Sequence, residues 1–426
     1  AVTCDDFVQA MQDASGVNLS QFRRWYDVAG TPALDCSGVF ENGVFELTVK
    51  QSMSPPFHIP LAVKIGHHEK VLSVTEQSQT FKFENLNSRP VPSLLRGFSA
   101  PVILNYPYTE DQLVHLLAND DDPFNRWEAA QRLGTDIILA RAGTPNDAYL
   151  GAIGAILGNP DHAFAAEVLT LPSETFLAEQ LAEVNPDALH ASRNALRRTI
   201  AAAFRDRLLA LYLSLAGSGP YAPDAASSGR RALRNLALSY LMELETPDLV
   251  ALCYEQFAQK DPAQANMTDQ FAALASLANS GAPQRQLALD SFYARWKDEP
   301  LVVDKWLAVQ AGARLPGTLA RVRELLAHPA FDIKVPNKVY SLIRAFAANH
   351  VRFHAADGAG YAFLADQVLA LNALNPQVAA RMARGFDRWK RFDANRRDKA
   401  KAQLERIREH AGLSRDVAEI VVKALA

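Results

Sequence analysis

Between about residues 38 and 106 apolar and polar positions alternate, and a period of two marks strands that bury one face. Phe57, Ile59, Leu61, Val63 and Ile65 alternate with His58, Pro60, Ala62 and Lys64. Phe45, Leu47 and Val49 repeat the pattern, as do Phe81 with Phe83, and Val102 with Leu104 and Tyr106. Asn42-Gly43, Pro55-Pro56 and Pro90-Val91-Pro92 separate the runs, so the segment predicts a small antiparallel β-sandwich. About seventy residues make a thin core, and the sandwich is expected to lean on its neighbours.

Residues 1–28 carry a different period. Thr3 can cap a first short helix, with Asp6 three residues on and Phe7 and Met11 on one face. A second carries Phe22, Trp25 and Tyr26, and Gly30-Thr31-Pro32 ends it. After Pro107 nearly everything reads as helix. Met267, Phe271, Leu274 and Leu277 form one stripe after Pro262; Val417, Ile420, Val421, Ala424 and Leu425 form another after the cap candidate Ser414. Asn159-Pro160, Thr246-Pro247, Asp261-Pro262, Ala282-Pro283 and Leu315-Pro316 cut the region into helices of ordinary length without a fixed repeat. The fold class expected is mainly α: a short helical remnant, a small antiparallel β-sandwich, then a large α-solenoid-like domain. The boundaries fall at 1–30, 31–107 and 108–426; eight of the 23 prolines lie in the first 107 residues.

Composition narrows the function classes. The chain has 426 residues, 49% hydrophobic and 21% charged, which is ordinary globular composition. Lys+Arg 44 against Asp+Glu 47 gives a net charge of −3, offering no overall attraction to nucleic acid or an anionic membrane. Cys4, Cys36 and Cys253 are too scattered for a disulfide framework or a zinc motif, which favours a reducing compartment. The start lacks a secretion signal and an initiator Met, which leads us to expect a chain trimmed at its start or taken from something longer.

Catalytic signatures are missing. No phosphate loop, Gly-x-Gly-x-x-Gly turn or Gly-x-Ser-x-Gly elbow occurs. His67-His68-Glu69 lacks a second histidine at position 72 and reads as a hairpin loop. Asp120-Asp121-Asp122 before Pro123 reads as a helix start, with Asp122 as cap, in preference to a cation site. Phe386 to His410 carries nine Lys/Arg against five Asp/Glu, the signature of a solvated, ion-paired helix face more than of a phosphate-binding surface. The sequons at Asn18 and Asn266 are taken as chance matches.

Longer runs are more specific. Ala1-Val2-Thr3-Cys4-Asp5-Asp6-Phe7, Phe22-Arg23-Arg24-Trp25-Tyr26, Phe57-His58-Ile59-Pro60 and Arg89-Pro90-Val91-Pro92-Ser93-Leu94-Leu95-Arg96-Gly97-Phe98 come first. Asp122-Pro123-Phe124-Asn125-Arg126-Trp127-Glu128, Asn266-Met267-Thr268-Asp269, Asp304-Lys305-Trp306, Phe353-His354-Ala355-Ala356-Asp357-Gly358 and Asn375-Pro376-Gln377-Val378-Ala379 follow in order. Together they resemble the C-terminal portion of the bacterial aminopeptidase N family of zinc metallopeptidases.

That resemblance implies a chain holding the last helices of a thermolysin-like catalytic domain (1–30), a β-sandwich domain (31–107) and a C-terminal helical domain (108–426) that forms wall and lid of the substrate cavity. The family's His-Glu-x-x-His motif, its downstream Glu ligand, its Gly-x-Met-Glu-Asn segment and its catalytic Tyr have no counterpart here. No catalytic residue, metal ligand or cofactor is therefore expected in this chain, and zinc is expected in the intact enzyme. The chain alone should be inactive. The resemblance also implies a cytoplasmic, monomeric enzyme. Its partners would be peptide substrates and the missing N-terminal and catalytic domains, with neither nucleic acid nor membrane involved. Gln377 and Arg381 match a family segment whose Gln and Arg face the substrate, and their i, i+4 spacing lets one helical face present both. Tyr340 stands where some relatives carry Arg. The competing reading is a stand-alone α-solenoid that binds a protein or peptide on a concave surface.

Overall fold

The computed structural model describes residues 2–217, 221–261 and 265–426; the landmark residue Ala1 and the breaker Pro262 lie outside the described residues. Two compact units form, Ala1–Leu133 with Asp147–Ile156, and Gly134–Asn146 with Leu157–Ala426.

The first unit opens on α1 (Cys4–Ser15), where Thr3 and Asp6 cap each other's backbone reciprocally and Gly16 closes the helix at φ 70°. Val8 is its buried residue, whereas Phe7 and Met11 are half exposed, at 53% and 49%. Trp25 lies in the single turn α2 (Arg24–Asp27). Its indole N–H donates to the His58 carbonyl at 3.0 Å, and its ring meets Phe57 edge-on at 5.0 Å.

Seven strands follow: β1 (Ala33–Glu41), β2 (Val44–Gln51), β3 (Ile59–Ile65), β4 (His68–Val74), β5 (Ser78–Phe83), β6 (Ser93–Leu94) and β7 (Ile103–Asn105). They make two sheets ordered β5-β2-β1-β7 and β4-β3-β6, antiparallel throughout except for the parallel β1–β7 pair. Asn42 and Gly43 both adopt positive φ, the conformation a tight hairpin turn between β1 and β2 requires. Strand β1 begins five residues before Gly38, which sits mid-strand because a Cβ there would fall 2.2 Å from the Phe45 ring.

The predicted alternation is visible side chain by side chain. Phe45, Leu47 and Val49 of β2 and Ile59, Leu61, Val63 and Ile65 of β3 are fully buried in one cluster. Each such burial is worth roughly 1.5–3 kcal/mol. Gln51 and Ser93 are polar residues buried with this core, each 4% exposed. Gln51 accepts from the Phe57 N–H at 2.8 Å and donates to the carbonyls of Phe57 at 2.9 Å and Glu76 at 3.2 Å. Its amide satisfies backbone groups that the ladder leaves over.

Helices α3 (Glu110–Asn119), α4 (Pro123–Ala140) and α5 (Asp147–Ile156) follow. The acidic triplet starts α4 as expected: the Asn125 N–H donates to Asp122 at 2.8 Å, with Pro123 in the first helical position. Asp120 and Asp121 take the Arg96 guanidinium at 2.9 and 2.7 Å. The turn of His67-His68-Glu69 is confined to Gly66 and His67. His68 and Glu69 already lie in β4, where Glu69 pairs with Arg96 at 3.3 Å.

The second unit is a helical array. From Pro247–Phe257 through Met267–Ala278, Gln284–Trp296 and Pro300–Ala311 to Thr318–Leu326, each helix packs on the next in sequence, the arrangement of a solenoid. Asn266 caps Met267–Ala278, which buries Leu274 and Leu277; Ser414 caps Arg415–Leu425, which buries Val417 and Val421. The basic stretch from Phe386 to His410 differs from expectation, because it is not one helix. Two short 3-10 turns precede Ala394–Arg408, since Trp389 and Phe392 turn inward and Asp393 caps a new start. Its charges are ion-paired as expected: Arg388 with Glu179, Arg396 with Asp187 and Asp393, and Arg406 with Asp366. Among the described residues, no helix is long and apolar enough to cross a membrane.

Candidate functional site

Asn375 ends one helix, Ala359–Leu374, and caps the next, Pro376–Ala383, by accepting from the Val378 N–H at 3.2 Å. Proline at the first helical position fits this start, because its missing N–H would have no partner there. Val378, Ala379, Met382 and Ala383 anchor the buried side. The other side carries Gln377 and Arg381, both exposed.

The structure sets Arg381 beside a second element. Residues Tyr340–Arg344 form a π-helical turn, wider than an α turn by one residue. Arg381 Nη1 donates to the Tyr340 hydroxyl at 3.0 Å, and the Arg344 guanidinium lies 6.0 Å from the centre of the Tyr340 ring. Arg344, Arg381 and Arg384 line a groove of about 440 Å³ whose floor includes Ala347, Met382 and Gly385. Arg384 is held by Asp387 at 2.9 Å. Gln377 does not line this groove, so of the two predicted residues Arg381 alone is part of it. Three guanidiniums around an open groove supply N–H donors suited to carbonyl oxygens and carboxylates. Among the described lining residues these guanidiniums hold no proton to give at neutral pH and no nucleophile, so what they offer is hydrogen-bond donors and positive charge.

A second polar cluster was not anticipated from the sequence. Glu174 accepts from His190 at 2.6 Å, His190 contacts Asn194 at 2.8 Å, and Arg314 donates to Asn194 at 3.2 Å. Arg197 meets Glu243 at 2.7 Å and Arg314 approaches it at 3.6 Å. Burial would push the Glu174 carboxyl up, but the bond from His190 and the neighbouring cations prevail and hold it below its ordinary value. Burial likewise pulls Arg314 down, with Arg197 adding to the effect. His190, Asn194, Arg197, Glu243 and Arg314 line a cavity of about 550 Å³. These residues are spread over more than a hundred positions and no local spacing connects them. The one signal in the sequence is Arg193, Arg197 and Arg198 within two turns of a single helix.

Among the described residues, no three His, Cys, Asp or Glu side chains come together in a way that could hold a metal ion. Cys4, Cys36 and Cys253 are free thiols, and burial pushes those of Cys36 and Cys253 up to about 12, away from nucleophilic use.

Comparison with known proteins gives these features a context. Residues 110–426 match the family described as "Domain of unknown function (DUF3458_C) ARM repeats", and residues 30–107 match "Domain of unknown function (DUF3458) Ig-like fold". Aminopeptidase N of Escherichia coli is 39% identical over 461 aligned positions, and aminopeptidase N of Caulobacter vibrioides 38% over 450. Each alignment covers 100% of this chain and 52% of the relative. The crystal structure of Legionella pneumophila aminopeptidase A in complex with aspartic acid superposes with a TM-score of 0.89 at 29% identity, again over 100% of this chain and 52% of that one. The chain thus spans about half the length of the curated relatives it matches, and the resemblance carried by the landmark runs holds along its whole length.

Proposed function

Because the chain belongs to the DUF3458_C ARM-repeat family and its relatives include aminopeptidase N, we propose that it is the C-terminal portion of a zinc aminopeptidase that removes N-terminal residues from peptides. In this reading the helical domain forms wall and lid of the substrate cavity. Arg381, braced by Tyr340, receives peptide carbonyls beyond the first residue, and Gln377 contacts longer substrates. The observation that carries the reading is the full-length match to 52% of each aminopeptidase N relative, combined with side chains that offer binding groups and no reactive ones. The exposed Phe7 and Met11 of α1 support it further, as an apolar face suited to the rest of a catalytic domain. The residues described here do not form a zinc site, and we derive no step through the metal. A cytoplasmic location accords with the free thiols.

The test uses the chain alone and the chain together with the segment encoded before it. Alone, it should show no turnover of an alanyl chromogenic amide and no stoichiometric zinc; joined to the preceding segment, it should show both. Robust metal-dependent turnover by the chain alone would overturn the proposal. In the joined enzyme Arg381→Ala should raise KM for a tetrapeptide by about tenfold, the scale of one lost charged hydrogen bond, and leave the aminoacyl amide unchanged. Equal effects on both substrates would remove Arg381 from the subsite.

A further inference from the structure

The helix Ala225–Leu241 presents Arg230, Arg231 and Arg234, and the helix Gln284–Trp296 ends on Arg295 and Trp296. All five line one cavity of about 230 Å³ in the helical unit. Asp269 is the one carboxylate among its described lining residues. That carboxylate is already engaged by Asn235 at 2.8 Å, Asn266 at 3.0 Å and Arg234 at 3.4 Å. Two of the cations are clamped on aromatic rings: Arg231 lies 4.4 Å over Tyr221, and Arg234 lies 4.4 Å over Tyr212 while donating to its hydroxyl at 3.1 Å. The positive charge is therefore fixed in place and far exceeds the negative charge available to it.

A second observation is independent of charge. Three N–H groups on this lining, Arg230 Nε, Arg234 Nε and Trp296 Nε1, are buried without a hydrogen-bond partner. An orphaned buried donor costs about 1–3 kcal/mol, and native structures contain few of them. Three around one cavity is a donor set that lacks its acceptor. The same lining holds one orphaned acceptor, Gln256 Oε1. Its orientation is fixed, because Gln256 Nε2 donates at 2.8 Å to both Asn235 Oδ1 and the Asp269 carbonyl. The missing occupant thus presents several acceptor oxygens and one O–H. Carboxylates carry no such proton at neutral pH, whereas hydrogen phosphate does, and a phosphate monoester does as its monoanion, the form this cavity would select. The volume falls below the roughly 300–1,000 Å³ of sites for drug-sized ligands, which limits the occupant to a compact group.

We propose that this cavity binds a phosphate oxyanion, as inorganic phosphate or as the head of a small phosphate monoester, through Arg230, Arg234, Trp296 and Gln256. The site is separate from the Arg381 groove, sharing no lining residue with it, and does not depend on the chain's part in peptide hydrolysis.

Isothermal titration of the 426-residue chain at fixed ionic strength and pH 7.5 tests it, with inorganic phosphate, phenyl phosphate and acetate as probes. Saturable binding of inorganic phosphate is expected, with acetate at least tenfold weaker. Tighter binding of phenyl phosphate assigns the monoester as the source; tighter binding of inorganic phosphate assigns the free ion. Trp296→Phe keeps an aromatic ring and removes one donor, and Arg230→Gln removes a cation that forms no ion pair among the described residues. Each should weaken phosphate at least fivefold with an unchanged melting temperature in phosphate-free buffer. No saturable binding, acetate binding equal to phosphate, or full affinity in the Trp296→Phe variant would overturn the proposal.

Discussion

The sandwich and the helical array hide their interiors in opposite ways. The sandwich core is a set of aliphatic and aromatic side chains at alternate positions, with Gln51 as its main polar guest. The helical unit buries Arg231, Arg396, Asp269, Gln256, Gln310, Asn349, Asn372 and His354 among its apolar residues. A half-buried sheet segregates polar from apolar by backbone geometry alone, since successive side chains point to opposite faces. In a layered helical array many helices have neighbours on more than one side, and polar groups must enter the interior and be satisfied there. Stability in the sandwich is thus governed by volume and apolar area, and in the array by backbone fit and hydrogen bonding.

The sharpest way to break that contrast is to remove volume from the sandwich. Leu61→Ala should cost about 3 kcal/mol, in the range for fully buried leucines. Hydrogen exchange should accelerate through residues 33–105, and a loss below about 1 kcal/mol would mean that the cluster is not closely packed. Adding volume in the array is the next test. A Cβ at Gly360 would fall 2.2 Å from the Phe353 carbonyl oxygen, a backbone atom that cannot swing aside. Gly360→Ala should therefore destabilise the helical unit by about 2 kcal/mol in urea unfolding; a neutral outcome would show that this helix pair is free to separate.

Acid provides the smallest and most selective perturbation. His354 is buried against Phe392 and bonded to the Tyr361 hydroxyl at 2.9 Å, and burial, aided by His350 and Arg396, holds it well below its usual value of 6.5. His350 is lowered for the same first reason. The folded state therefore binds fewer protons than the unfolded state once the pH drops below about 6.5. Their stabilising contribution is complete above that pH and declines as the pH falls toward the folded values. Each histidine can contribute at most about 1.4 kcal/mol per pH unit. The melting temperature of the helical unit should fall between pH 6.5 and 5, and His354→Gln should flatten the decline. An unchanged slope in that variant would assign the acid sensitivity elsewhere.

The same contrast explains what could be read from the sequence. In the sandwich, alternation named the buried residues of β2 and β3 one by one, because a strand's inside and outside follow from position parity. It missed β6, whose two residues are too few to show a period, and placed the start of β1 late because Gly38 resembles a break. In α1 the cap was legible from Thr3 and Asp6, but the apolar face of Phe7 and Met11 is left open within this chain. The helices of the array were legible from their stripes and prolines. The cluster joining Glu174, His190, Asn194, Arg197, Glu243 and Arg314 was not, and neither was the arginine cavity. Both arise where distant helices meet, and no spacing along the chain encodes such a meeting.

The π turn at Tyr340–Arg344 has a consequence for how this groove diverges among relatives. A π turn is an α turn carrying one residue more, and one residue corresponds to roughly 100° of rotation about the helix axis. The widened turn absorbs that extra residue, so the helix on either side keeps its facing while Tyr340 is carried out to meet Arg381. Losing a single codon there should therefore restore a regular helix with its flanking faces unmoved, and change only which side chains the turn presents to the groove.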